Sequence, residues 1–367
     1  AILRDTEPEL HLRSVTLTAK DKICLCETRE CTPEACPYAN GYYARIKGAL
    51  WDVLDVPCLT AETLQEYAER HTVCPFELGL DSSLWSDVII GDYNYLFDPV
   101  VHLVRFFESA GDYIFLVDEA HNLPGRAREM HSAALTKTSF YEAKKLLGKG
   151  KSSLKNALTK VNDVFIEWRH RAEEEAAAGD GRFGKTFFLK EHSEEFDRLL
   201  NRLCEPLEAW LDDHREPDEA HTALLQLYFD VRAWLRVADT FDDHFVLQIT
   251  ASGSEVRAAQ LCLDPSAFLA DSFALGRAAV LFSATLAPAS YYKDLCGVPE
   301  ARAVALRSPF PAGNQGLFCI GNVSTRYKDR DASLAIVAES LATMVRAHCG
   351  NYLAFFPSYA YMEQAYA

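Results

Sequence analysis

Tyr113-Ile-Phe-Leu-Val-Asp-Glu-Ala-His121 runs through five apolar or aromatic residues and then presents two carboxylates and an imidazole. A continuous apolar run of this length, without alternation, reads as a strand buried on both faces, as in parallel sheets covered by helices. A carboxylate at the carboxyl end of a parallel strand stands where α/β sheets bind ligands. Asp118 is placed to hold a divalent cation, and Glu119 to orient or deprotonate a water. His121, two residues on, can carry a hydrogen bond to a neighbouring element. Acids in the first turn of a helix are the plainer reading; the strand just before them favours a site.

The rest of the chain fits the same architecture. Short strands are expected at Ser14–Ala19 and at Asp87-Val-Ile-Ile-Gly91. Residues 126–240 change texture, with Ala, Leu, Lys and Glu at helical spacing. Leu199, Leu200, Leu203, Leu207, Trp210 and Leu211 mark one helix face. Glu173-Glu-Glu-Ala-Ala-Ala-Gly-Asp-Gly181 reads as a break. Strands return at Phe245–Thr250, Arg257–Leu263 and Ala278–Ser283. Phe318–Ile320 and Tyr352–Pro357 follow, separated by a helix over Ala332–His348. The order α/β, helical, α/β implies a parallel-sheet domain interrupted by insertions.

The 367 residues are 49% hydrophobic, enough for more than one core. With 37 Lys+Arg against 53 Asp+Glu, the net charge of -16 argues against a general coat of positive charge for nucleic acid, though not against a local basic groove. No apolar run approaches the roughly 18 residues of a membrane helix, and no basic start with an apolar core opens the chain. The reading is cytoplasmic. Both ends fall inside apparent elements, as in a piece of a longer protein.

In that compartment clustered cysteines mean metal or redox chemistry. Cys24, Cys26, Cys31 and Cys36 fall within 13 residues, and Cys74 precedes a proline. Thiolates select zinc or iron–sulfur clusters, and this loose spacing is not the paired CxxC of zinc ribbons. Cys58, Cys204, Cys262, Cys296, Cys319 and Cys349 are scattered and are expected to be packed thiols.

Val117-Asp-Glu-Ala-His121 matches the DEAH box of helicases. Lys20-Asp-Lys-Ile-Cys24, Glu30-Cys-Thr-Pro-Glu-Ala-Cys-Pro-Tyr-Ala39 and Val73-Cys-Pro-Phe-Glu77 resemble the four-cysteine domain of XPD/DinG-like iron–sulfur DNA helicases. Asp87–Pro99 is similar to that family's segment before the acidic box. Phe282-Ser-Ala-Thr-Leu-Ala-Pro288 resembles helicase motif III, and Phe355-Phe-Pro-Ser-Tyr359 motif IV. The resemblance implies a RecA-like motor domain over residues 1–20, 75–125 and 241–290. It implies a cluster domain at 21–74, a helical Arch insertion at 126–240, and the start of a second RecA-like domain at 291–367.

It also implies a [4Fe–4S] cluster on Cys24, Cys31, Cys36 and Cys74, with Cys26 a rival for Cys24. ATP and Mg²⁺ would be used at Asp118, Glu119 and His121, with Ser283 and Thr285 coupling hydrolysis to movement. Tyr93, Asn94 and Tyr95 would meet DNA, where aromatic rings stack on bases at about 1–3 kcal/mol each; core packing is the plain alternative. Lys144 and Lys145, in the lysine-rich stretch Lys137–Lys160, and Ser358 and Tyr359 are further candidate DNA contacts. The lysines read equally well as a solvated helix face. The activity implied is a 5′→3′ ATP-dependent DNA helicase, monomeric, acting on single strands and on single/double-strand junctions in repair or replication. No G-x-x-x-x-G-K-[ST] phosphate loop and no arginine-finger segment are assigned to the chain, which alone is expected not to hydrolyse ATP. A metal-stapled nucleic-acid-binding module without ATPase activity is the alternative; a nuclease would need more converging carboxylates.

Overall fold

β1 (Ser14–Thr16) is the middle strand of a parallel three-stranded sheet, flanked by β2 (Cys58–Leu59) and β3 (Val88–Ile90). Val15 stands opposite both Leu59 and Ile89. It is fully buried against the helices Tyr42–Val53, Ala61–His71 and Pro75–Ser82 through Ile46, Ala49, Leu64, Ala68 and Leu78. The cysteine-rich segment and the first sheet therefore share one core. The Thr60 hydroxyl caps the second helix by accepting from the Thr63 N–H at 3.3 Å. The third starts on Pro75, whose fixed φ suits a first helical residue, directly after Cys74.

The computed structural model describes residues 7, 11–148, 152–179, 184–216 and 218–366. They fall into two compact units, Ala1–Arg302 and Ala303–Ala367. In the first unit, β4 (Ile114–Val117) and β9 (Ala278–Leu281) form a parallel pair, Val117 opposite Leu281. One face packs Phe115, Val117 and Leu281 against Leu123, Leu269 and Phe273. The other leaves Ile114, Leu116 and Val280 at least half exposed, so the expected burial on both faces holds on one only. After β9, the helix Ala289–Leu295 ends in a Schellman turn: Val298 N–H donates to Lys293 O and Gly297 N–H to Asp294 O. Gly297 has φ 68°, and a Cβ there would lie 2.1 Å from Ser266 O. Gly297→Ala is expected to lower the stability of this unit by more than about 1 kcal/mol, read as a shift in the urea midpoint. A shift within error would show that the backbone relaxes freely at this turn.

Between β4 and β9 in the chain lies a block built differently from the sequence expectation. β5 (Ala133–Thr136), β6 (Thr186–Leu189), β7 (Phe245–Ser252) and β8 (Glu255–Cys262) make an antiparallel sheet in the order β5-β8-β7-β6. Four helices, Lys137–Leu146, Ser153–Ala178, Glu194–Asp213 and Glu219–Asp239, pack with it. The helical insertion expected at 126–240, read with little strand signal, thus also carries the strands β5 and β6. The strands read at 245–250 and 257–263 pair with this block, not with the parallel strands. Their composition marks extended, half-buried chain but not the direction of pairing. That is set by the tight turn at Gly253, φ 60°, which folds β7 back on β8.

The shared core holds Phe140, Phe165, Trp168, Phe196 and Trp234, with Leu200, Leu203 and Leu207 of the expected helix face. Ser193 caps the Glu194–Asp213 helix by accepting from Phe196 N–H, and three acids occupy its first turn. Asp180 and Gly181 of the expected break, and Lys149 and Lys151 of the lysine-rich stretch, lie outside the described residues.

The second unit contains the helices Arg330–Ala347 and Tyr359–Tyr366, close to expectation. Tyr361 is buried between them and its hydroxyl lies 3.1 Å from Ser333 Oγ. The strands expected at Phe318–Ile320 and Tyr352–Pro357 are not formed among the described residues; Phe318, Leu353 and Phe355 are over 80% exposed. An apolar run becomes a strand only where a neighbour takes its backbone hydrogen bonds, and no described residue of this unit does so.

Candidate functional site

Parallel pairing brings two loops together. Phe282 N–H donates to Val117 O at 3.0 Å, and Ala120 N–H to Phe282 O at 3.1 Å. This zips the carboxyl ends of β4 and β9 one step past the strands, where Glu119 faces Ser283. The Ser283 hydroxyl donates to Glu119 Oε2 at 3.1 Å, and His121 Nδ1 lies 2.7 Å from Ser283 Oγ and 3.2 Å from Glu119 Oε2. Ser283 has one proton, so its donation to Glu119 requires His121 Nδ1 to carry a proton. Thr285 Oγ1 sits 3.4 Å from Ser283 Oγ, and its N–H donates to that hydroxyl. The sequence-derived residues Glu119, His121, Ser283 and Thr285 thus form one network, although 162 positions separate His121 from Ser283. The Glu119 side chain keeps more than half its surface open to water.

Glu119 adopts φ 45°, a left-handed conformation sparsely used by side-chain-bearing residues. Tyr93 supports it: its single hydroxyl proton is shared between the carbonyls of Asp118 and Glu119. The Asp118 carboxylate accepts the Glu119 N–H at 2.7 Å. Burial raises the Tyr93 phenol, helped by the charges of Asp118 and Glu119. The Tyr93 ring meets Phe97 edge-on at 6.4 Å, and Tyr95 packs on the core of the first sheet. Both rings are half-buried, which favours packing over base stacking for them. Asn94 Oδ1 accepts from Arg126 at 3.3 Å. Tyr93→Phe keeps the ring and removes the donor. It is expected to cost about 1 kcal/mol in urea unfolding and to leave DNA affinity unchanged. The reverse pattern would return Tyr93 to the DNA path.

The second constellation is a cavity of about 200 Å³ lined by Cys24, Cys26, Cys31, Cys36 and Cys74, with Lys20, Tyr38 and Glu77 among its other walls. All five thiols are free. Cys26 Sγ is 3.8 Å from Cys36 Sγ. Desolvation first, and the neighbouring thiols next, push Cys26 up to about 11. Among the described residues no three His, Cys, Asp or Glu side chains are already gathered at metal-holding distance. The donor set nonetheless fits a thiolate-ligated iron–sulfur group: sulfur converging on one cavity, with a cation beside it. Lys20 Nζ donates to Glu77 Oε1 at 3.3 Å and stands over Phe76.

Arg45 positions this cavity. Its guanidinium donates to Thr72 O at 2.9 Å, Pro37 O at 3.0 Å and Asn40 O. It ties the loop after Cys36 to the loop before Cys74. Tyr42 OH donates to Asp81 at 2.9 Å, and Arg105 clasps the same carboxylate at 3.2 Å. Sequence reading missed these supports, for which the only signal was the placement of Arg45 and Tyr42 on the helix between the third and last cysteines. Cys204, Cys262 and Cys296 are buried as expected, whereas Cys58, Cys319 and Cys349 are exposed and correct that expectation. Cys58 lies on the short flanking strand β2 with its side chain turned away from the buried Leu59.

The DEAD_2 family model matches residues 9–140, which contain the cysteine cavity, Tyr93 and the acidic box. Residues 9–140 are thus similar to a DEAD_2 domain. A Schizosaccharomyces pombe protein, "General transcription and DNA repair factor IIH helicase subunit XPD", is 33% identical over 105 residues, covering 29% of this chain and 13% of that protein. A Caenorhabditis elegans "Regulator of telomere elongation helicase 1 homolog" is 27% identical over 151 residues, 41% of this chain and 14% of the relative. The aligned part is thus a small share of these relatives' length. A solved structure titled "XPD_Helicase" superposes with a TM-score of 0.53 at 18% identity, over 99% of this chain and 63% of that one. It extends the likeness of fold beyond the DEAD_2 domain.

Outside the DEAD_2 domain, Lys144 and Lys145 lie in the last turn of the Lys137–Leu146 helix, half-buried and exposed respectively. In the second unit, Ser358 Oγ accepts from Arg330 at 3.3 Å and from the Tyr361 N–H, while Tyr359 is 83% exposed. No described helix is long and apolar enough to cross a membrane.

The expectation that the chain has no phosphate-loop pattern is corrected: the letters occur once, at Gly179-Asp-Gly-Arg-Phe-Gly-Lys-Thr186. Its context is the reverse of a phosphate loop. It follows the carboxyl end of the Ser153–Ala178 helix and runs into β6, so among the described residues no helix amino terminus offers N–H groups to an anion there. Lys185 is engaged by Glu173 at 3.0 Å, and the Thr186 hydroxyl by that of Thr250 at 3.1 Å. Residues 180–183 lie outside the described residues.

Proposed function

We propose that this chain is part of an ATP-dependent DNA helicase that unwinds duplex DNA, 5′→3′, in repair or replication. The observation carrying the reading is the Glu119–Ser283–His121 network at the carboxyl ends of two adjacent parallel strands. There Asp118 serves Mg²⁺ of bound ATP, and Glu119 orients the attacking water. His121 and Ser283 register the change in Glu119's surroundings on hydrolysis and carry it to the loop at Thr285. Cys24, Cys31, Cys36 and Cys74 hold a [4Fe–4S] cluster that braces the domain against the strand being parted. Asn94, Lys144, Lys145, Ser358 and Tyr359 are proposed DNA contacts. Single-stranded DNA and its junctions with duplex are the partners, for a monomer in the cytoplasm. This chain alone is proposed to be inactive in hydrolysis: its one G-x-x-x-x-G-K-T stretch lies between a helix end and β6, and no arginine-finger segment is assigned to it.

The placement of that stretch favours one second reading, a metal-stapled nucleic-acid-binding module without ATPase activity. Anaerobic purification followed by iron, acid-labile sulfide and zinc analysis tests the cluster. About four irons and four sulfides per chain, lost in Cys31→Ser, are expected. One zinc and no visible absorption would replace the cluster, and ATP binding by the full-length protein then decides between motor and module.

A further inference from the structure

Five thiols, not four, line the cysteine cavity. Cys24 and Cys26 both reach it, although a single residue separates them. Chain geometry explains this. The short helix Lys20–Ile23 stops at Cys24, which takes an extended conformation, φ -61° and ψ 135°. In extended chain, residues two apart face the same side. Cys26 stands 3.8 Å from Cys36, one of the thiols assigned to the cluster, and neither Cys24 nor Cys26 is tied into a disulfide. Both are half-buried, at the rim of the cavity and not sealed in a core.

We infer that Cys24 and Cys26 are interchangeable ligands for one iron of the cluster, so that the site carries a built-in spare thiol. The inference rests on the iron–sulfur reading above. Exchange needs no oxidant. One iron–thiolate bond breaks and another forms on the same iron, and the proton of the incoming thiol passes to the departing thiolate. Cys31, Cys36 and Cys74 have no such neighbour two residues away and remain indispensable.

The test uses alanine, which offers no donor atom, in Cys24→Ala, Cys26→Ala, the double variant and Cys31→Ala, each purified without oxygen. Iron and acid-labile sulfide per chain are measured with the electron paramagnetic resonance spectrum of the reduced protein; circular dichroism checks the fold. The inference expects each single variant to keep most of its iron, with spectra that differ between the two, while the double variant is as empty as Cys31→Ala. If either single variant is as empty as Cys31→Ala, one dedicated ligand is present and the inference fails. If the double variant keeps its cluster, neither residue is a ligand and it fails as well. A parent protein without iron or sulfide overturns the iron–sulfur reading itself, an outcome distinct from these.

Discussion

Glu119→Gln in the full-length protein is expected to cut DNA-stimulated ATP turnover by about 10²–10⁴-fold while leaving the KM for ATP nearly unchanged. The amide oxygen can still accept the Ser283 hydrogen bond now made at 3.1 Å, so the loop geometry survives. What disappears is a carboxylate able to align and deprotonate water at an open position beside Asp118. A kcat reduced less than about threefold would remove Glu119 from the chemistry, since a working general base contributes at least tenfold more than that. Ser283→Ala gives the contrast: hydrolysis persists but its stimulation by DNA falls, because the side-chain link from Glu119 to the Thr285 loop is cut while the backbone bonds between the strand ends remain.

Trp234→Ala should be the most damaging single change to stability. Trp234 is fully buried where the helix Glu219–Asp239 meets Phe196. Truncating a buried aromatic of this size costs about 3–5 kcal/mol. The indole N–H also donates to Asp197 at 2.8 Å, and that buried carboxylate would be left with His192 alone, at 2.6 Å. The loss is therefore expected at the upper end of that range, read from the urea midpoint of this chain. Trp234→Phe, which keeps most of the volume but not the donor, should recover more than half of it. A loss below about 1 kcal/mol for the alanine variant would mean that the helices close over the void.

The acidic box was legible because its signal is local and doubled. An apolar run names the strand, and the acids that follow name its carboxyl end. Ser283 was legible for the same reason at β9, and only the pairing of the two strands had to be supplied by folding. Helices such as Glu194–Asp213 announced themselves through Leu200, Leu203 and Leu207. Arg45, Tyr93 and Lys20 were not legible in their supporting roles. Each acts on backbone atoms or side chains distant in sequence, and nothing in an isolated Arg or Tyr says which carbonyl it will find. The direction of β7 and β8 was lost because strand composition is blind to partner orientation. Gly179–Thr186 shows the converse failure: eight letters can match a motif while helix and strand stand on the wrong sides of it.

The antiparallel sheet has one more consequence. The chain enters this block at β5 and leaves it at β8, and those two strands are hydrogen-bonded neighbours, with Ala133 opposite Gln260. Just outside, Ser132 Oγ accepts the Cys262 N–H at 2.9 Å, and Arg128 donates to Leu263 O at 2.8 Å. Entry and exit are thus a single strand spacing apart, roughly 5 Å. A segment with such closely set ends can be gained, lost or exchanged while the host chain has only a hairpin-sized gap to close. The block has the build of a cassette: a short turn joining Ser132 to Leu263 should leave the parallel pairs and the Glu119–Ser283 link intact, and blocks from relatives could be grafted across the same two residues.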